Sequence, residues 1–314
     1  MPFNLYLSAF SFIVLCFCSC EESGDTACIE KVWYSDEDQD GLGNPLDSLL
    51  SCEQPAGYVS NADDSSETKP GIGESELQTL PGEQQKYVSG STKARYGFYL
   101  YEPAEYNNED EFPLLIFLHG GGARGNGSDG DLNKIIYDGP PKLIISKKWN
   151  PTHPMIIVSP QSPHLWDANK LHDFIDYLTE QLAVDKERIY MTGFSMGARG
   201  CFDYVARHAD ESHVAAIVPI AGWGTYTGEP FRKVAVWAFH GDEDNVLPWT
   251  GSLDIVERIN AADPLTQAKL TIFPGVNHNS WTRTYDDSGM GDESATYDSF
   301  DQSIYDWMYL YTKN

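Results

Sequence analysis

Positive charge is scarce in this chain. Its 314 residues hold 21 lysines and arginines against 47 acids, a net charge of −26. Phosphate contacts need clustered Lys and Arg, so nucleic acid is excluded as a partner. The same balance favours solubility and disfavours anionic polymers as substrates. Cysteine is scarce as well. The six present show no Cys/His metal spacing, so a zinc hydrolase is not expected. No P-loop or dinucleotide fingerprint stands beside a strand, so no organic cofactor is expected for catalysis. The longest apolar run, Leu5 to Cys18, falls short of the ~20 residues of a membrane span.

What is there begins with Gly193-Phe194-Ser195-Met196-Gly197, a G-x-S-x-G pattern that follows the apolar run Arg188 to Thr192 and precedes a helical stretch, Ala198 to His208. A serine on a sharp strand-to-helix turn is lifted clear of the backbone, and flanking glycines let the turn close. Ser195 is therefore a candidate nucleophile. Upstream, the apolar run Phe112 to Leu118 reads as a central parallel strand and ends in His119-Gly120-Gly121-Gly122. Backbone N–H groups in such a loop can face a developing oxyanion. The donors expected are Gly121, with Gly122 as the alternative, and Met196. His119 is expected to pack under the glycine turn.

Downstream, Val234 to Phe239 runs into His240-Gly241-Asp242-Glu243-Asp244. A carboxylate here could orient an imidazole. Three acids compete, and Asp244, four past His240, is the expected one; His240 is expected to shape the loop. Leu270 to Phe273 then leads to His278. Of eight histidines, this one sits at a strand end after both the serine and the acid. Trp166, Trp223 and Trp281 are candidate pocket aromatics, with core packing as the alternative for each. Cys201, in the helix after the serine, is expected to be a buried filler rather than a reactive thiol. Arg95–Tyr106, Met155–Pro160 and Val214–Ala221 read as strands. Helical spacing or composition predicts helices over Trp166–Ala183, Leu253–Ala261 and Gln302–Tyr311. Alternating strands and helices imply an α/β class with a doubly wound, mostly parallel sheet, and about 235 residues suffice for one such domain.

The order Ser195, Asp244, His278 matches an α/β-hydrolase. Residues from about 80 to 314 resemble the α/β-hydrolase esterases grouped with carbohydrate esterases of the feruloyl and acetyl-xylan types, polyhydroxyalkanoate depolymerases and dienelactone-hydrolase-like enzymes. Four blocks carry the resemblance: Leu118–Gly122, Val184–Gly197, Phe239–Asp244 and Pro274–Trp281. It implies Ser195 as nucleophile, Asp244 as acid and His278 as base of a carboxylic ester hydrolase, with ester-bearing polysaccharide as the expected substrate. Where the family often has glycine and then an aromatic after the second motif glycine, this chain has Ala198 and Arg199. A serine peptidase of the prolyl-oligopeptidase type would use the same triad, although no propeller-length domain precedes the catalytic region. A non-catalytic surface-binding lipoprotein is the third alternative.

Residues 1–19 carry no charged side chain and suit a signal peptide, making export to the cell surface or beyond the expectation. Ser19-Cys20 followed by two glutamates resembles a bacterial lipoprotein cleavage site, which implies lipid on Cys20 and membrane anchoring; ordinary cleavage with release is the alternative. Residues 20–75 form a small acidic module expected to be irregular, with fourteen acids against two lysines over 21–75. Within it, Asp36, Asp38 and Asp40 alternate before Gly41, a pattern that suits Ca2+, with Asp63 or Asp64 to close the shell. The stretch Trp33–Asn44, with Cys52–Val59 and Asp63-Asp64, resembles the thrombospondin type 3-like metal-binding repeat of bacterial surface proteins. A cysteine usual near Asp64 is absent here, and Cys28 is expected to pair with Cys52 instead. A solvated acidic spacer is the alternative reading of the module.

Overall fold

Val32, Trp33 and Tyr34 are β-branched or aromatic, and they lie in a strand, β1 (Lys31–Ser35). It pairs antiparallel with β2 (Ser48–Ser51) and β3 (Tyr58–Val59), and the Trp33 indole N–H donates to the Ser51 carbonyl at 3.1 Å. The expectation of an irregular module is thus corrected by this three-stranded sheet. The computed structural model describes residues 31–35, 43, 48–62, 76–78 and 80–313. Residues 1–19, Cys20, Cys28, Asp36, Asp38, Asp40, Asp63 and Asp64 lie outside the described residues. Cys52 is disulfide-bonded. The chain divides into two units, Met1–Lys69 and Pro70–Asn314.

The second unit is built on eight strands: β4 (Gln84–Tyr87), β5 (Phe98–Tyr101), β6 (Phe112–Leu118), β7 (Ile156–Pro160), β8 (Val184–Phe194), β9 (Ala216–Ile220), β10 (Ala235–Gly241) and β11 (Lys269–Phe273). Their spatial order is β4-β5-β7-β6-β8-β9-β10-β11. The strands from β7 to β11 run parallel, and β5 runs antiparallel to both its neighbours. All seven residues of β6 are buried, because helices cover both faces. Period-two alternation sorts them. Leu114, Ile116 and Leu118 enter one core, while Leu115 and Phe117 enter the other.

In chain order the helices are α1 (Asp129–Leu132), α2 (Gly139–Ile145), α3 (Ala168–Gln181), α4 (Met196–His208), α5 (Thr250–Ala261), α6 (Trp281–Tyr285) and α7 (Ile304–Tyr309). Helices α3, α4 and α5 give apolar residues to the first core; α2, α6 and α7 serve the second. Helix α3 shows how the sequence does this. Leu171, Phe174, Ile175 and Leu178 recur at helical spacing and are buried, and the Asp167 carboxylate caps the N-terminus by accepting from Lys170 N–H at 2.9 Å. The expected strand over Arg95–Tyr106 is confined to Phe98–Tyr101. Just beyond it, Pro103 has no N–H with which to extend a ladder.

One order reversal in this sheet matters for chemistry. From β6 the chain crosses to β7 on one side, and from β8 it crosses to β9 on the other. The carboxyl ends of β6 and β8 therefore border a crevice that no crossover fills, the place where open α/β sheets bind ligands.

Glu102 sits at the far side of the sheet, next to β5. It is fully buried; one carboxyl oxygen accepts the Leu80 N–H at 3.0 Å and the other has no hydrogen-bond partner. Burial pushes this carboxyl from 4.5 up to about 7, and the Leu80 N–H only partly opposes it. A raised carboxyl binds its proton more tightly when folded. Stability is therefore lost as pH rises from about 4.5 to about 7. Glu102→Gln keeps the acceptor and cannot ionise. Thermal melts should show the variant about 2 kcal/mol more stable than the parent at pH 8, with no gain at pH 4.5.

Candidate active site

The buried end of β8 delivers the chain to Ser195, which has φ 52° and ψ −117° before α4 begins at Met196. A non-glycine residue there is strained by ~1–3 kcal/mol and holds only where its surroundings dictate it. The surroundings do so twice. The Ser195 N–H donates to the Ile220 carbonyl at 2.8 Å, extending the β8–β9 ladder. A Cβ at Gly197 would overlap the Leu118 carbonyl oxygen, so only glycine lets α4 sit this close to β6. The hydroxyl is left in the crevice.

His278 lies in the loop after β11. Its Nε2 is 3.0 Å from Ser195 Oγ, and its Nδ1 is 2.7 Å from Asp244 Oδ2. Of the three acids after β10, Asp244 is the one that turns inward. Asp242 instead accepts the Gly275 N–H, and Glu243 is exposed. The Asp244 side chain is buried, and its Oδ1 accepts the N–H groups of Val246 and Leu247, both at 2.9 Å. Burial alone would push this carboxyl up. The Leu247 N–H, His278 and the Val246 N–H together outweigh burial and hold it below the usual carboxylate range. An ionised acceptor at Nδ1 fixes the proton on that nitrogen, so Nε2 accepts the Ser195 hydroxyl.

His240 does more than shape its loop. Its Nε2 faces two acceptors, Asp244 Oδ2 and the Leu247 carbonyl, both at 3.0 Å, so this nitrogen carries the proton. Nδ1 accepts from the Ser252 hydroxyl at 2.9 Å. Burial lowers the pKa of this histidine, against the pull of Asp244, and leaves it a neutral donor. Asp244 thus receives two backbone and two imidazole donors. The sequence signal was the four-residue interval between His240 and Asp244. His240→Phe fills similar space without an N–H. It should lower kcat about 10- to 100-fold while KM stays nearly constant, as steady-state kinetics would show, since a hydrogen bond to a buried charge contributes ~1.5–3 kcal/mol.

The glycine loop after β6 enters a short 3-10 turn, Gly121–Ala123. His119 is buried beneath it. Its Nδ1–H donates to the Gly120 carbonyl at 2.7 Å, and its Nε2 accepts the Ser162 N–H at 3.0 Å. Burial pushes its pKa down to about 4, so it stays neutral. Because the peptide is planar and trans, fixing the Gly120 carbonyl downward aims the Gly121 N–H the opposite way. The Met196 N–H opens α4 and has no intrahelical acceptor. Gly121, with Gly122 beside it, and Met196 therefore open two chain turns at the carboxyl ends of β6 and β8.

The three tryptophans separate. Trp166 is 4% exposed, donates its indole N–H to the His119 carbonyl at 3.3 Å and packs on the His119 ring at 4.9 Å. It supports the glycine loop from below, a correction to its expected place in the pocket wall. Trp281 is half-buried, stacks on Phe194 at 4.3 Å and meets the His278 ring edge-on at 5.3 Å. Its N–H donates to Asp138 Oδ1 at 3.0 Å. Trp223 is half-buried beneath the Arg199 guanidinium, 5.5 Å away. Arg124, unremarked in the sequence, reaches from the glycine loop to the Met196 sulfur at 3.2 Å. Cys201 is fully buried, and burial pushes its thiol well up, away from reactivity.

Comparison with known proteins follows the same lines. The dienelactone hydrolase family model matches residues 159–311. Feruloyl esterase B of Piromyces equi is 26% identical over 187 residues, covering 56% of this chain and 33% of that protein. The bifunctional acetylxylan esterase/xylanase XynS20E of Neocallimastix patriciarum is 32% identical over 82 residues, 26% of this chain and 12% of that protein. The chain thus spans a third or less of the length of these relatives. A solved structure of a thermostable esterase superposes with a TM-score of 0.54 at 21% identity, covering 73% of this chain and 63% of that one. The chain has the α/β-hydrolase fold, and the Ser195–His278–Asp244 array within it is that of a serine hydrolase.

Proposed function

We propose that this chain is a secreted carboxylic ester hydrolase that removes acetyl or feruloyl-type groups from polysaccharide. The observation that carries the reading is the continuous relay from Ser195 Oγ through His278 to the ionised Asp244, at 3.0 and 2.7 Å. His278 takes the serine proton as Ser195 attacks the ester carbonyl. The N–H groups of Gly121 and Met196 hold the oxyanion, each lowering the barrier by about 3 kcal/mol. His278 then returns the proton to the leaving alcohol, and water repeats the attack on the acyl-enzyme. Every step uses the chain's own groups, and no cofactor enters.

The polysaccharide side of the proposal draws on the two relatives, whose names are those of an acetylxylan esterase and a feruloyl esterase. Export, lipid on Cys20 and Ca2+ on Asp36, Asp38 and Asp40 complete the reading as a surface enzyme tethered through an acidic module; the apolar start of the chain and its aspartate spacing support it. Side-by-side hydrolysis of p-nitrophenyl acetate, methyl ferulate and a proline peptide tests the activity. Turnover of the two esters with no cleavage of the peptide is expected. Peptide cleavage at a comparable rate, or failure of the protein to label with a fluorophosphonate, would overturn it.

A further inference from the structure

Helix α4 connects two clusters of titratable side chains. Ser195 stands at its start, and His208, its last residue, belongs to a group at the other end, roughly 20 Å away for a helix of this length. There the rings of His208, His172 and His213 form a stack, with His172 in the middle at 4.2 Å from each. Asp176 follows His172 by one turn of α3, so both project from the same face. Ligand atoms of His172, Asp176 and His213 all lie within 4.8 Å of one another.

Packing alone does not account for this group. All three side chains are only half-buried, so none is needed to fill a core. His213 Nε2 already stands against Asp176 Oδ1, 2.9 Å away. The Tyr204 hydroxyl accepts the His213 backbone N–H at 3.1 Å and lies 3.3 Å from His172 Nδ1. That contact orients the His172 ring from behind and leaves Nε2 for another partner, as an outer hydrogen bond does for a metal-bound imidazole. His208 is different. Its Nε2 donates to the Ala168 carbonyl at 3.1 Å, so it stacks without joining the group.

We infer that His172, Asp176 and His213 form a binding site for a divalent transition ion of the Zn2+ class. Two imidazoles and one carboxylate suit such an ion, and the hard oxygen set wanted by Ca2+ is missing. Donors ~2.0–2.1 Å from a tetrahedral ion stand about 3.4 Å apart, so the half-exposed side chains need to shift by only about an ångström to enclose it. A shallow concavity open to water, lined by Asn169, His172, Asp173, Arg207, His208 and Glu211, reaches the group at His172. Bound there, the ion ties α3 to the segment between α4 and β9 and stabilises the folded chain in proportion to its occupancy.

Isothermal titration of untagged protein with ZnCl2, in buffer containing excess Ca2+ to occupy the acidic module, tests this. One saturable zinc per chain is expected, with a rise in melting temperature. His172→Gln, Asp176→Asn and His213→Gln should each weaken binding at least tenfold and abolish the rise, while His208→Gln binds as the parent does. Circular dichroism of each variant without metal separates lost ligands from lost fold. Absence of saturable binding, or unchanged affinity in folded variants of His172 and His213, overturns the inference.

Discussion

Ser195→Ala should lower kcat on any ester by on the order of 10^5- to 10^6-fold, the effect of removing a nucleophile whose partners act as a unit. What remains is the oxyanion site and binding. Stability supplies a second readout. Alanine keeps a Cβ at φ 52° and ψ −117°, so the backbone strain persists and the melting temperature should hardly change. Ser195→Gly releases that strain, ~1–3 kcal/mol, against the smaller entropy cost of glycine. It should be equally inactive yet about 1 kcal/mol more stable. Steady-state kinetics and thermal melts on the three proteins give both results. An alanine variant retaining a thousandth of the parent's activity would mean another group attacks the ester.

The strain argument also shows why this part of the molecule was legible in the sequence. Gly193 and Gly197 bracket Ser195 because the backbone geometry demands it, and such demands are local. The same holds for β6, β8 and β10. Each is buried on both faces along the stretch that leads to the site, all of β6 and β10 and Ile189–Phe194 of β8, and each is followed by residues of obvious chemistry, Gly120–Gly122, Ser195 and Asp244. Chain order then placed a histidine after the acid. Geometry decided what spacing had left open among Asp242, Glu243 and Asp244, because only one of them finds two backbone donors inside the loop.

What the sequence hid is non-local. Strand β4 reads Gln-Gln-Lys-Tyr, with no apolar run, because it is an edge strand whose residues are all partly exposed. Helix α2 opens Gly139-Pro140-Pro141, which reads as a turn until packing against β7 and α6 makes it a helix. His119 takes its meaning from Ser162, 43 residues away, and Trp166 from His119. The histidine stack joins two helices and a loop, and nothing in the spacing of His172, His208 and His213 announces it. In the acidic module, Val32, Trp33 and Leu49 lie in paired strands, but so few apolar residues among so many charges left no strand legible in the sequence.

Asp244→Asn should cost about 10^4-fold in kcat with KM little altered. The amide carbonyl can still accept the Val246 and Leu247 N–H groups, which turns the NH2 toward His278 and His240. Against His278 it becomes a donor facing Nδ1, so the imidazole must move its proton to Nε2 and point it at Ser195, the wrong direction for a base. Against His240 it meets a nitrogen that already carries a proton, and that tautomer is held in place by the Leu247 carbonyl and the Ser252 hydroxyl. One of these donors is left without an acceptor in a buried site, so a stability loss of about 1–3 kcal/mol accompanies the kinetic one. Pairing the substitution with His240→Phe separates the two. The second change removes the clash, so the double variant should recover stability toward that of His240→Phe alone while kcat stays near the level of Asp244→Asn. Recovery of activity in the double variant would mean that Asp244 serves His240 and not the orientation of His278.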